Sequence, residues 1–183
     1  MSKVVVTSFM TMDGVIESPE KWSFPYWNND IEQFKDDELR AADAQLLGRR
    51  TYEVFAEAWP SRSGHYADRL NATPKYVVST TLQQAHWNNS HVIAGGNQLD
   101  AEVRQLQERH AGNLLVHGSH SLVQALVQRD LVDEYHVLVY PLVFGEGRRL
   151  FADGAKANLE LARSSEMGSG VVLLVYRRGS TPA

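Results

Sequence analysis

The stretch NLLVHGSHSLVQALVQRDLVDEYHVLVYPLVFGEGRRLF, residues 113–151, decides how the chain folds. Residues 113–117 are a short apolar run, the pattern of a buried strand. Gly118 and Ser119 break it. From Ser121 onward the apolar positions Leu122, Val123, Leu126 and Val127 fall at helical spacing. Residues 132–140 return to a strand. The unit is strand, small polar turn, helix, strand. Such a turn points the free N–H groups of a helix start at whatever lies beyond the strand end, and phosphate is the usual occupant.

Composition bounds the rest. With 183 residues the chain is expected to form one domain over residues 1–178 and a disordered tail over 179–183. A hydrophobic share of 43% and a charged share of 22% suit a globular protein. The net charge of −4 gives no reason to expect nucleic acid or an acidic membrane surface as a partner. The absence of cysteine removes disulfides, thiolate catalysis and zinc–thiolate sites. The sequence enters a strand at once (Lys3 to Phe9), without a basic and then apolar leader. No apolar run approaches the roughly 20 residues needed to span a bilayer. A cytoplasmic location is the expectation.

Outward from the central stretch, strands and helices alternate. After the first strand, Asp13-Gly14 signals a turn. An aromatic loop follows with Trp22, Phe24, Tyr26 and Trp27. Its rings either line a pocket for a flat substrate or pack the loop down and cover an interface. A helix is expected from Asn29 to about Asp43, with Asn29 and Glu32 as its capping pair. A strand at residues 44–47 turns through Gly48-Arg49-Arg50-Thr51 into a helix from Tyr52 to about Trp59. Two arginines at a strand-to-helix turn favour an anion, or are a surface pair. Residues 75–79 are a strand ending in Ser79-Thr80-Thr81, whose hydroxyls either donate to a phosphate or cap the next turn. A strand at 91–94 and a helix at 100–109 lead back to the central stretch. Two strands, 158–165 and 170–178, close the chain as an antiparallel hairpin.

These elements specify an α/β fold of three layers. It has a mostly parallel central sheet flanked by helices, with an antiparallel C-terminal edge. The polar turns at 48–51, 79–81 and 118–122 all follow strands, so they converge on one edge of the sheet, where ligands of such sheets bind.

The segments TSFMTMDGVI (7–16), LLGRRTYEVF (46–55), KYVVSTT (75–81) and residues 116–151 carry a resemblance. The chain resembles the dihydrofolate reductase-like superfamily. Within it, the likeness is to the branch of the reductase domain of the bifunctional riboflavin-biosynthesis deaminase–reductase. The resemblance implies a homodimeric, NADPH-dependent oxidoreductase acting on a small pterin- or pyrimidine-like heterocycle. 5-Amino-6-(5-phosphoribosylamino)uracil and dihydrofolate are the substrates of the proteins it resembles. It also implies site residues. Gly48, Arg49, Arg50 and Thr51 match the turn that holds the cofactor phosphates. Ser79, Thr80 and Thr81 match the turn at the adenosine 2′-phosphate. Gly118, Ser119, His120, Ser121 and Leu122 match the turn under the pyrophosphate. Dihydrofolate reductase has a double glycine there, where this chain has Gly118-Ser119. Thr7, Val15 and Ile16 fall where the family encloses the nicotinamide. Trp22, Tyr26 and Trp27 would stack on the substrate.

Two carboxylates compete for the proton chemistry. Asp30 matches the acid at a helix start in dihydrofolate reductase, and is otherwise a first-turn acid favoured by the helix dipole. Asp13 matches the Asp-Gly that the riboflavin branch places beside substrate, and is otherwise a turn residue. The histidines of His117-Gly-Ser-His120 lack an acid cluster or cysteines for a metal site. No serine sits in a nucleophile elbow. The alternative to an enzyme is a non-catalytic, dimeric nucleotide-binding scaffold on the same fold. For the dimer, the apolar strand after Val132 is the expected contact edge.

Overall fold

The strand nearest the N-terminus lies inside the sheet, which explains why it carries three consecutive valines. In a computed structural model, which describes residues 2–180, β1 (Val4–Thr11) pairs in parallel with two other strands. Val4, Val5 and Val6 are buried whichever face they point to, as expected of a strand covered on both sides. Eight strands run in the order β4-β3-β2-β5-β1-β6-β8-β7. The others are β2 (Ala42–Gly48), β3 (Lys75–Ser79), β4 (Ser90–Ala94), β5 (Asn113–His117), β6 (Glu134–Tyr140), β7 (Leu159–Glu166) and β8 (Val172–Arg178). The first six are mutually parallel; β8 runs antiparallel to both of its neighbours, β6 and β7.

Helices cover both faces. Side-chain alternation along the strands sends Val4, Val6, Leu46, Leu114 and Val116 to one side, where they pack with α4 (Leu99–Arg109) and α5 (His120–Gln128). Leu47, Val77 and Leu138 face the other side. There they meet α1 (Asn29–Arg40), α2 (Arg49–Ala58) and α3 (His65–Ala72). This is the expected three-layer α/β architecture. No helix of the described residues is long and apolar enough to cross a membrane.

Several boundaries differ from expectation for physical reasons. The cap of α1 is Asn28, not Asn29: its side-chain oxygen accepts from the N–H groups of Asp30 (3.0 Å) and Ile31 (3.1 Å). The same side chain donates to the Met167 carbonyl at 2.8 Å, fastening the helix start to the turn before β8. Helix α1 ends at Arg40 rather than Asp43, and Ala42 opens β2 instead. The strand after Val132 is not an edge. β6 lies between β1 and β8, so it cannot supply a contact surface; the edges are β4 and β7. Edge strand β7 is mostly exposed and carries Glu160, Arg163 and Glu166, charges that discourage further strand pairing. In the segment expected to be disordered, Gly179 donates to the Asn158 carbonyl at 2.8 Å and the Ser180 N–H to Glu160 at 3.2 Å. Residues 181–183 lie outside the described residues.

One buried cation holds the β3 end of the sheet. Lys75 is 0% exposed, and its ammonium donates to the carbonyls of Asn71 (2.8 Å), Thr73 (2.7 Å) and Asn88 (3.0 Å). It also lies 4.2 Å above the Trp87 ring. Burial pushes its pKa down to about 8, so it stays largely protonated at neutral pH. Lys75→Met should destabilise the fold by about 2–4 kcal/mol in urea denaturation, because three carbonyls lose their donor together.

Candidate functional site

The turns after β2, β3 and β5 lie side by side because those three strands are neighbours and parallel. Two of them touch. Strand β2 passes directly into α2 at Gly48, and β5 passes into α5 through Gly118 and Ser119. A Cβ at position 48 would fall 1.8 Å from Ser119 Oγ and 3.0 Å from its Cβ. Glycine is therefore the residue that lets the two helix starts meet. Gly118 and Ser119 both have positive φ, 47° and 61°, a strained conformation for a serine. The Gly118 N–H is tied to the Thr7 carbonyl at 3.1 Å. Neither α2 nor α5 has a side-chain cap. Their first N–H groups and the positive ends of both helix dipoles thus face one space, an arrangement suited to an anion.

That space is a cavity of about 1520 Å³. All the residues expected at the cofactor line it except Val15, which is buried and bridged to Arg149: Thr7, Ile16, Gly48, Arg49, Arg50, Thr51, Ser79, Thr80, Thr81, Gly118, Ser119, His120, Ser121 and Leu122. They are not equally free to act. The Arg49 guanidinium donates to Glu53 (2.7 Å) and to the Thr81 hydroxyl (2.7 Å). The Ser79 hydroxyl accepts from the N–H groups of Thr81 (3.1 Å) and Leu82 (2.9 Å), capping its own turn. Arg50 makes no hydrogen bond or ion pair among the described residues.

The aromatic loop divides. Trp27, 41% exposed, and Phe24, 62% exposed, line the cavity. Trp22 and Tyr26 do not. Both pack edge-on against the buried Tyr140, with ring centroids 5.2 Å and 5.6 Å away, and Trp22 donates to the Glu17 carbonyl at 2.9 Å. They hold the loop down.

The two acids lie outside the cavity lining. Asp30 is an exposed first-turn residue of α1. Asp13 accepts from the Thr11 hydroxyl (2.6 Å) and from the N–H groups of Phe144 (3.2 Å) and Gly145 (2.8 Å). The Thr11 bond first, and then the Gly145 bond, hold its carboxyl down at about 2. It fastens the 142–149 segment to the first turn and carries no proton at neutral pH.

Sequence reading did not single out the ionic cluster at the cavity floor. Thr7 of β1 is in register with His117 of β5 and His136 of β6. Over this row α1 lays Lys35 and, three residues on, Glu38, each 6% exposed. The Lys35 ammonium donates to Thr7 Oγ1 at 2.9 Å and to Glu38 Oε2. Glu38 Oε1 lies 2.6 Å from His136 Nδ1, and His136 Nε2 lies 2.9 Å from Glu134 Oε1. Both partners of His136 are carboxylates, which only accept, so the ring is an imidazolium with both nitrogens donating. For Glu38, burial pushes the pKa up, but the Lys35 charge and the His136 hydrogen bond outweigh it and hold it at about 2. Burial lowers His136, yet its hydrogen bond to Glu38 and the two carboxylate charges raise it on balance. Burial and the nearby Lys35 charge push His117 down to about 3, so it is neutral. The signal in the sequence was present: Lys35 and Glu38 stand one turn apart and one turn beyond the inward Ile31.

Residues 2–173 match the family of the RibD C-terminal domain. The chain belongs to that family. It is 27% identical over 180 residues to an uncharacterized Bacillus subtilis (strain 168) protein, YyaP, covering 95% of this chain and 94% of the relative. Among solved structures it is similar to a putative riboflavin biosynthesis protein from Shewanella sp. PV-4. The TM-score is 0.80 and the identity 18%, with 98% of this chain and 99% of that one covered. It is also similar to the Enterococcus faecalis dihydrofolate reductase complexed with NADP(H). There the TM-score is 0.64 and the identity 16%, and 97% of each chain is covered. The chain thus has the fold of the RibD C-terminal and dihydrofolate reductase-like reductases.

The floor cluster makes a pH-dependent contribution to stability. A carboxyl lowered from 4.5 to about 2 contributes fully above 4.5 and loses that contribution as pH falls toward 2. An imidazolium raised above 6.5 contributes fully below 6.5 and loses that contribution as pH rises through its folded value. The stability gap between wild type and Glu38→Gln, measured by urea denaturation, should therefore be widest between pH 4.5 and 6.5 and narrow on either side.

Proposed function

We propose that the chain is a single-domain, NADPH-dependent reductase of a small flat heterocycle of the pyrimidine or pterin class. The observation that carries this is the meeting of two uncapped helix starts at Gly48 and Ser119. Together with the unpaired Arg50, they form a cradle for a doubly charged phosphate group. The cavity is also larger than the roughly 300–1,000 Å³ of an ordinary small-ligand site, which leaves room for a dinucleotide and a second ligand. The similarity to a dihydrofolate reductase complexed with NADP(H) supports the same reading.

In this proposal the N–H groups at the starts of α2 and α5 bind the pyrophosphate. Arg50 supplies the mobile positive charge, Arg49 and Thr81 form a pre-joined pair at the adenosine end, and Thr7 and Ile16 enclose the ring end. Phe24 and Trp27 present flat apolar faces to the substrate. The bound nicotinamide supplies the two-electron reductant. Asp13 and Asp30 take no part in the proton chemistry, because neither lines the cavity.

The test is direct. NADPH should quench the tryptophan fluorescence of the wild type, and 5-amino-6-(5-phosphoribosylamino)uracil or dihydrofolate should accelerate loss of its absorbance. Arg50→Ala should weaken NADPH by about 10- to 100-fold, the worth of a charge-assisted phosphate contact, and should weaken NADH as much, because both carry the pyrophosphate. A wild type that binds NADPH and oxidises it with neither substrate would favour the scaffold over the enzyme.

A further inference from the structure

The cavity floor holds a charged group that the cofactor cradle does not use. Lys35 is almost fully buried, yet it lines the cavity with Thr7, Phe9 and Trp27. An ammonium has three N–H bonds. One goes to Thr7 Oγ1 and one to Glu38 Oε2. No acceptor among the described residues takes the third. A lysine reaching into an apolar cleft without a task would cost stability through desolvation. Here a second layer keeps it there: Glu38 holds Lys35, and the His136 imidazolium, braced by Glu134, holds Glu38.

We propose that Lys35 is the proton donor to the substrate, delivering its free N–H proton to the nitrogen of a C=N bond reduced in this cavity. Glu38 and His136 are positioning residues. The assignment rests on the reductase reading of the site and adds to it the reducible bond and the acid.

The chemistry balances. Reduction of C=N breaks its π bond, placing hydride on carbon and an electron pair on nitrogen; the reductant is the reduced nicotinamide dinucleotide, which is oxidised. That nitrogen becomes a far stronger base than a lysine amine. The Lys35 Nζ–H bond breaks, its electron pair stays on Nζ, and the proton forms the new N–H bond of the product. The neutral amine regains a proton from water when the product leaves the open cavity. The titratable and charged groups around Lys35 are Glu38 and Asp36 on α1, His117 on β5, His136 and Glu134 on β6, and Tyr66 on α3. His117 is neutral, and burial raises Tyr66 so that it is neutral too. Glu38 is thus the anion that pairs with the Lys35 ammonium and aims it.

The experiment compares Lys35→Met, Lys35→Arg and Glu38→Gln with the wild type, using NADPH and 5-amino-6-(5-phosphoribosylamino)uracil, whose C=N bond is the C1′ imine formed when the ribose ring opens: the C1′–O4′ bond breaks and the exocyclic N–H proton passes to O4′. Lys35→Met should lower kcat by about 100-fold or more, the usual worth of a general acid, with NADPH affinity changed by no more than about twofold. Lys35→Arg keeps the charge but holds its proton far more tightly than an ammonium, so it should not restore turnover. Glu38→Gln should move the alkaline limb of the kcat–pH profile to lower pH, which a purely structural role would not do. Turnover by Lys35→Met within about threefold of wild type overturns the assignment, as does restoration by Lys35→Arg. A wild type that binds no NADPH overturns the reductase reading and this assignment with it. The 15N signal of the Lys35 ammonium reads the contact without turnover. It should shift when the uracil compound is added to the NADP⁺-loaded protein, and an unmoved signal overturns the assignment.

Discussion

The contact between Gly48 and Ser119 is the constraint on which the site depends. Parallel neighbours β2 and β5 deliver two helices to the same edge of the sheet. Glycine at position 48 lets their starts abut with Ser119 undisturbed, since a Cβ there would fall 1.8 Å from the Ser119 hydroxyl and 3.0 Å from its Cβ. The strain of a serine with φ of 61° is held by this packing and by the bond from Gly118 to the Thr7 carbonyl. Strand order, helix polarity and one glycine together produce a concentration of unpaired N–H groups that no single element could supply.

The second organising interaction is the ionic cluster under the cavity. Thr7, His117 and His136 occupy one level of three adjacent strands, so their side chains share the α1 face of the sheet. Lys35 and Glu38 descend onto that row. Buried charges of this kind are a poor source of net stability, but they fix geometry: each group has a partner of opposite sign within hydrogen-bond reach. The paired helix starts at the strand ends and the charge at the floor are therefore built by different elements of the same sheet, and β1 joins them through the Thr7 carbonyl and hydroxyl.

Much of this was legible in the sequence. The crossover at 113–140 and the glycine and hydroxyl turns after strands are local signals, and the parallel order of β2, β3 and β5 makes them converge as expected. The acids were less legible. Asp13 and Asp30 stand out in a linear reading because turns and helix starts favour carboxylates, and the structure puts them in those roles. Glu38 gave no such cue. Its partner His136 lies 98 residues away, and a carboxylate at an inward helix position looks like an interruption of the apolar stripe until the histidine is brought beside it. The aromatic loop was ambiguous for a similar reason: only the position of Tyr140, a distant strand residue, separates Trp22 and Tyr26, which pack on it, from Trp27, which faces the cavity.

The central claim is that the paired starts of α2 and α5 hold the pyrophosphate of a dinucleotide. A crystal structure of the protein soaked with NADPH tests it most directly. The account predicts a pyrophosphate within hydrogen-bond distance of backbone N–H groups from both 48–51 and 118–122, with the nicotinamide toward Thr7 and Lys35. A dinucleotide bound away from the Gly48–Ser119 contact, or no bound dinucleotide at saturating concentration, would contradict it.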